Sequence, residues 1–209
     1  MPSGRKTEDI KIETCKVLDH IGALKFGAFK LTSGRLSPYY IDLRIVPSFP
    51  DAFEKICDFY VKLVKTEIRP EEIDRIAGIP VAGIPFASII SFTMKKPFLY
   101  VRKGARLHGR ERRIEGVIAP GNRVLLVDDL VTAGLSLLKT AKAITAEGGV
   151  VTDAVVLIDR QEGGKEKLGK NGIKLHALLN ITEVVNTMHD LGSIDEEQLK
   201  TILKQVKKK

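Results

Sequence analysis

VLLVDDLVTAGLS, residues Val124 to Ser136, decides the fold. Four aliphatic residues run straight into Asp128 and Asp129, and then into Leu130, Val131, Thr132, Ala133, Gly134, Leu135 and Ser136. A strand that is apolar on both faces belongs inside a parallel sheet. Open α/β folds bind their ligands at the C-terminal edge of such strands. The two aspartates therefore stand at the mouth of a crevice. The stretch from Leu130 to Ser136 leads into a helix, and a helix start preceded by small residues gathers N–H groups and a favourable dipole for phosphate. Thr132 and Ser136 add hydroxyls, and Gly134 lets the backbone come close. Carboxylates accept hydrogen bonds, so Asp128 and Asp129 suit the vicinal hydroxyls of a sugar or a metal bridging to one. A ribose 5-phosphate meets both demands.

The rest of the chain alternates in keeping with this strand. RIAGIP, PFLYVR, RVLLVDD, DAVVLID and KLHALLN read as strands, with helices around FASIISFTM and LSLLKTAKAITAEGG. The spacing predicts a doubly wound parallel sheet. Outside that rhythm lies a first helix with Ile10, Val17, Leu18, Ile21 and Leu24 on one face and Gly27 past its end. A hairpin around the Ser33–Gly34 turn follows it. These form a small N-terminal hood, about residues 1–45, capping the sheet's edge, with an α/β core over about 46–209 in a single domain. PDAFEKICDFYVKLVKTEI is a helix with Phe53, Ile56, Tyr60, Leu63 and Val64 on one face. A polar turn precedes KLHALLN, and the last helix starts at a capping box of Ser193 with Glu196.

Composition narrows the function. No apolar run approaches the roughly 18 residues of a membrane span, and MPSGRKTEDIKIE lacks a signal-peptide core. Cys15 and Cys57 lack metal-like spacing and read as buried thiols of a cytoplasmic protein. The net charge of +8 suits nucleic acid or a polyanionic small molecule. Its dense part, RKGARLHGRERR from Arg102 to Arg113, has six Lys or Arg and no interleaved aromatic, which argues against nucleic acid. GKEKLGKN from Gly164 imitates a P-loop spacing, but Asn171 replaces the Ser or Thr that would hold Mg²⁺.

VLLVDDLVTAGLS matches the signature of the phosphoribosyltransferases that use phosphoribosyl pyrophosphate (PRPP). FKLTSGRLSPYYIDLR, YVRKGARLHGRERRIEG and VLIDRQEGG closely resemble orotate phosphoribosyltransferase, from the first helix to the last strand. The wording of SPYYIDLR and TDAVVLIDRQEGGKEKL is similar to the transferase half of uridine monophosphate synthase. With no decarboxylase stretch, a monofunctional version is expected. The resemblance implies a type I phosphoribosyltransferase sheet with a hood. The implied reaction transfers the phosphoribosyl group from PRPP to N1 of orotate in UMP biosynthesis, with Mg²⁺ carried by PRPP near Asp128 and Asp129 and no ligand to it required from the protein. It also implies a homodimer.

Residue roles carry over where the motifs match. Arg102, Lys103, Arg106 and His108 belong to the basic loop that closes over pyrophosphate, partly from the neighbouring subunit. Asp128 and Asp129 hold the ribose and Leu130 to Ser136 the 5-phosphate. Arg160, Ser33, Tyr40 and Thr132 line the orotate site, and Val81, Ala82 and Gly83 form the pyrophosphate turn. An Arg is the fitting partner for orotate's carboxylate. Thr32, Ala82 and Arg106 depart from the pattern, each replacing a Lys of many bacterial members. Arg106 keeps the charge but cannot donate a proton, which leaves acid catalysis to His108 or Lys103. Two other readings stay open: a regulator that keeps the fold and uses PRPP as an effector, and a transferase for a purine or uracil.

Overall fold

The structure, a computed structural model, describes residues 3–30, 36–102 and 113–207. Helix α1 (Ser3–His20) leads into a hairpin of β1 (Leu24–Lys30) and β2 (Leu36–Ile41), paired antiparallel. Then come α2 (Pro50–Glu67), β3 (Arg75–Gly78), α3 (Gly83–Met94), β4 (Phe98–Val101), β5 (Ile114–Glu115), β6 (Val124–Val131), α4 (Leu135–Ala146), β7 (Asp153–Asp159), α5 (Gly164–Gly169), β8 (Lys174–Asn180), α6 (Ile181–Asp190) and α7 (Glu196–Lys207). Among the described residues no helix is long and apolar enough to cross a membrane.

The central sheet has the order β5-β4-β3-β6-β7-β8 and is parallel except for the short β4–β5 pair. Chain order reverses beside β3: β4 lies on one side of it and β6 on the other. This puts the C-terminal ends of β3 and β6 side by side at the switch point where such sheets open a crevice. β6 is buried on both faces, as its sequence requires. Leu125 and Val127 join the core under α2 and α3, while Val124 and Leu126 join the core under α4 and α5. Each large aliphatic side chain so buried stabilises the fold by about 1.5–3 kcal/mol.

The structure corrects several local expectations. The first helix stops at His20, because Gly22 takes φ 70° and the Ala23 amide turns back to the Leu18 carbonyl. Leu24 and Gly27 consequently lie in β1, not on or just past the helix. β6 runs two residues further than expected, so Leu130 and Val131 are strand rather than loop. The polar turn before β8 contains α5, which also occupies the P-loop-like stretch. The capping box of α7 is Asp195 with Gln198, bonded reciprocally at 2.8 and 2.9 Å, and not Ser193 with Glu196. Ser193 Oγ instead donates to Asp19 at 2.9 Å. The N-terminal hood of helix and hairpin is present as expected, with α6 packed on α1 and α7 on β2.

Candidate active site

Asp128 and Asp129 sit in the C-terminal half of β6, just before its last two residues, with 8% and 9% of their surface exposed. The Asp128 side chain acts on the Asp129 carboxyl and lowers its pKa. Asp128 Oδ1 also accepts the Asp129 amide at 3.0 Å, and Asp129 Oδ1 the Leu130 amide at 2.8 Å. Burial pushes the Asp129 carboxyl above the usual carboxylate range, against the lowering effect of these hydrogen bonds. The Tyr60 hydroxyl donates to the Asp128 carbonyl at 2.6 Å from beneath.

The loop that follows is pinned from both sides. Gly134 has φ 71°, a conformation that glycine adopts without strain, and it opens α4. Gly164 lies so close below that a Cβ there would come 2.3 Å from the Thr132 carbonyl oxygen and 3.2 Å from the Gly134 nitrogen. Thr132, Ala133, Leu135 and Ser136 thus surround an open helix start. The Val131 carbonyl is already taken by the Arg160 amide at 3.0 Å, which ties this loop to the end of β7.

Facing it across the switch point is the Val81–Gly83 turn, preceded by a cis Pro80–Val81 peptide. The Ile79 amide donates to the Val127 carbonyl at 3.0 Å and the Gly83 amide to the Ile79 carbonyl at 3.0 Å. Ala82 is the residue from which α3 begins. A cleft of about 860 Å³ is lined by Ile79, Pro80, Arg102, Arg113, Ser136 and Lys139 among others, so the residues leading into the turn, the last residue of the phosphate loop and the foot of the basic segment border one space. Arg102 pairs with Glu115 at 3.2 Å, and its buried Nε has no hydrogen-bond partner among the described residues. Lys103, Arg106, His108 and Ser33 lie outside the described residues, as does Thr32.

Arg160, at the end of β7, is 8% exposed. Its Nη2 pairs with Glu162 at 3.1 Å and lies 3.4 Å from the Tyr39 hydroxyl, with the Tyr39 ring 5.0 Å from the guanidinium carbon. Its Nε is buried without a partner among the described residues, the arrangement expected of a donor kept for a ligand. The loop carrying it is fixed by Asp159, which accepts the Gln161 amide at 2.8 Å, and by Gln161 Oε1, which accepts from the Thr182 hydroxyl at 2.6 Å.

Neighbouring strand residues face opposite ways. Tyr39, not Tyr40, is therefore the tyrosine against Arg160. Tyr40 points the other way, with its ring 5.8 Å from Phe29 and its hydroxyl accepting from Arg44 at 2.8 Å. Arg44 also acts electrostatically on Asp129. Sequence reasoning missed Tyr39, Arg44 and Glu162 as site residues, although SPYYIDLR and DRQEGG contain them. Tyr39 and Arg44 were visible; which face each would take was not.

The described residues include no cluster of three or more His, Cys, Asp or Glu able to hold a metal. Two buried carboxyl groups, each already accepting one amide, suit a divalent cation that keeps water and ligand phosphates as its other oxygens.

A model of the phosphoribosyl transferase domain matches residues 50–190. The orotate phosphoribosyltransferase of Cenarchaeum symbiosum is 40% identical over 181 residues, 87% of this chain and 90% of that protein. The structure of Leishmania donovani UMP synthase superposes with a TM-score of 0.85 at 31% identity, over 95% of this chain and 42% of that one. Orotate phosphoribosyltransferase from Aeropyrum pernix superposes with a TM-score of 0.72 at 30% identity, over 86% of this chain and 99% of that one. The chain belongs to the phosphoribosyl transferase domain family, on its orotate phosphoribosyltransferase branch.

Proposed function

We propose that this chain transfers the 5-phosphoribosyl group of PRPP to N1 of orotate, releasing pyrophosphate and forming orotidine 5′-monophosphate in UMP biosynthesis. The observation that carries this reading is a convergence at one sheet edge. Two adjacent buried carboxyl groups, an open helix start and an arginine whose buried Nε has no partner among the described residues all lie toward the C-terminal ends of β6 and β7.

In this reading Asp128 and Asp129 accept the ribose hydroxyls, and the backbone and hydroxyls of Thr132 to Ser136 take the 5-phosphate. Arg160 pairs with the carboxylate of orotate, with Tyr39 beside it in the place expected of Tyr40, while Thr132 and Ser33 complete the pyrimidine pocket. The N1–C1 bond forms on the face opposite the breaking C1–O bond, and N1 gives up its proton to solvent as it bonds. The leaving pyrophosphate takes the electron pair. Charge then builds on the pyrophosphate while the ribose gains oxocarbenium character. Arg102, Lys103 and Arg106 answer that charge electrostatically, and Lys103 or His108 supplies any proton. Mg²⁺ entering with PRPP would sit beside Asp128 and Asp129 and neutralise diphosphate charge.

The family resemblance further supports a homodimer in which the basic loop of one subunit serves the other's site. Two buried, unpaired cysteines support a reducing compartment, the cytoplasm. The decisive experiment follows loss of orotate absorbance on adding PRPP and Mg²⁺, with uracil and hypoxanthine as controls. Turnover of orotate alone is expected; turnover of either control in its place would overturn the assignment.

A further inference from the structure

Asp128 and Asp129 are consecutive residues of one strand, and consecutive side chains of a regular strand point to opposite faces. Both are nevertheless buried in the same stretch of strand, and the Asp128 side chain acts on the Asp129 carboxyl. Something must bend the strand locally. The bend is visible in the pairing of β6 with β7. It runs Leu126 with Ala154, Val127 with Val155 and Asp128 with Val156, then resumes at Leu130 with Ile158 and Val131 with Asp159. The rung between Asp129 and Leu157 is absent. The pairing of β7 with β8 skips Leu157 as well, passing from Val156 with Ala177 to Ile158 with Leu179. Neither strand carries an extra residue, so this is not a bulge but a parting of the ladder.

A side chain occupies the gap. Tyr60 reaches up from α2, 1% exposed, with its ring 5.6 Å from Phe86 of α3. Its hydroxyl donates to the Asp128 carbonyl at 2.6 Å, with the Asp129 carbonyl at 3.4 Å. The Leu157 amide is directed at the same oxygen. One phenol thus stands in for the missing rung: it gives a proton to the β6 carbonyls and faces the β7 amide. A buried carbonyl is costly to leave unpaired, so the hydroxyl makes the parted geometry tolerable.

We infer that Tyr60 is a positioning residue for the reaction: its hydroxyl holds β6 and β7 apart at Asp129, and that parting is what brings the two carboxyl groups onto one ligand. The inference rests on the reading of Asp128 and Asp129 as the ribose-binding pair. Phe in place of Tyr keeps the ring on Phe86 but removes the wedge, and the ladder is then free to close through a direct bond from Leu157 to β6.

The test uses Tyr60→Phe and Tyr60→Met, with PRPP affinity by calorimetry, KM for each substrate and thermal unfolding measured on the same preparations. Folded variants are expected to bind PRPP about tenfold more weakly and to show a KM for PRPP raised about tenfold, with KM for orotate within twofold of wild type. A structural defect would raise both KM values together and would overturn the inference. The second arm repeats Tyr60→Phe in an Asp129→Asn background. A residue acting only through the acidic pair loses its effect there, whereas an independent effect on PRPP persists and overturns the inference. If Tyr60→Phe is silent while Asp129→Asn weakens PRPP, the positioning role fails and the ribose reading stands. If Asp129→Asn and Asp128→Asn are both silent, the ribose reading itself fails. Should neither Tyr60 variant fold, the hydroxyl is a requirement of the fold and the inference is overturned.

Discussion

Gly83 and Asp128 are packed so closely that a methyl group on Gly83 would lie 2.9 Å from both Cα and Oδ1 of Asp128. It would also lie 2.6 Å from the Val127 carbonyl oxygen. These two residues come from different strands' ends, the pyrophosphate turn after β3 and the acidic pair of β6. Their contact is what brings the two halves of the site to a common crevice.

Gly83→Ala is the direct probe of that contact. The obstacle is mostly backbone, so the added carbon must push the turn and β6 apart. Overpacking of this kind costs about 1–3 kcal/mol of stability, and displacing a site by about 1 Å costs on the order of 10²-fold in rate. The variant is expected to fold, with a lowered melting temperature and kcat/KM reduced on that order. Wild-type kcat/KM in a folded Gly83→Ala protein would show that the contact does not position Asp128.

Replacing the acidic pair is expected to separate binding from stability. Asp128→Asn with Asp129→Asn removes the ribose acceptors, so PRPP affinity falls strongly. Burial raises the Asp129 carboxyl in the folded state. A raised carboxylate favours folding below its unfolded value of about 3.9, and that contribution is lost as pH climbs through the folded value. Near neutral pH the buried charge is therefore a liability. Asp129→Asn should raise the melting temperature more at pH 7 than at pH 4, by roughly 2–4 °C per kcal/mol relieved. Unfolding curves across that pH range decide it; an equal shift at both ends would refute the direction.

Arg160 tests the choice of base. It offers a planar fork beside Tyr39, with Glu162 on its Nη2 and its Nε without a partner among the described residues. Removing the charged partner of a buried carboxylate costs on the order of 2–5 kcal/mol. Arg160→Ala should raise KM for orotate accordingly while leaving PRPP affinity close to wild type. Arg160→Lys should recover little, since a point charge cannot reproduce the fork. Unchanged orotate KM in Arg160→Ala would mean that the carboxylate is held elsewhere.

The path from sequence to site was open where one pattern had one reading. Val124–Val127, apolar on both faces, admits only a buried parallel strand, and Gly134 after small residues admits only a tight helix entry. It was closed where two patterns overlapped. Ile21 and Leu24 continue the helical spacing of α1, yet Gly22 ends the helix between them. Ser193 with Glu196 has the spacing of a capping box, but Ser193 was drawn off by Asp19 and the box formed at Asp195 with Gln198. Tyr60 was legible as a core residue of α2 but not as a hydroxyl between two strands, because that role depends on a tertiary neighbour 68 residues away. Tyr39 was hidden for a similar reason: an alternating pair gives no clue to which member faces Arg160.

The basic segment yields the last prediction. Six cations within twelve residues are a dense like-charge run that an anion would relieve. The family resemblance supports sharing of this segment across a dimer. His108→Ala damages the segment, and Asp128→Asn with Asp129→Asn damages the sugar site. If the segment serves the neighbouring subunit, a mixed dimer has one site with both defects and one site with neither. Mixing and re-annealing the two inactive proteins should then restore about a quarter of wild-type activity, because half the dimers are mixed and each has one good site of two. If His108 serves its own subunit, every site keeps one defect and no activity returns. That outcome would remove the shared site and leave the transferase assignment untouched, since the assignment rests on Asp128, Asp129, the loop to Ser136 and Arg160.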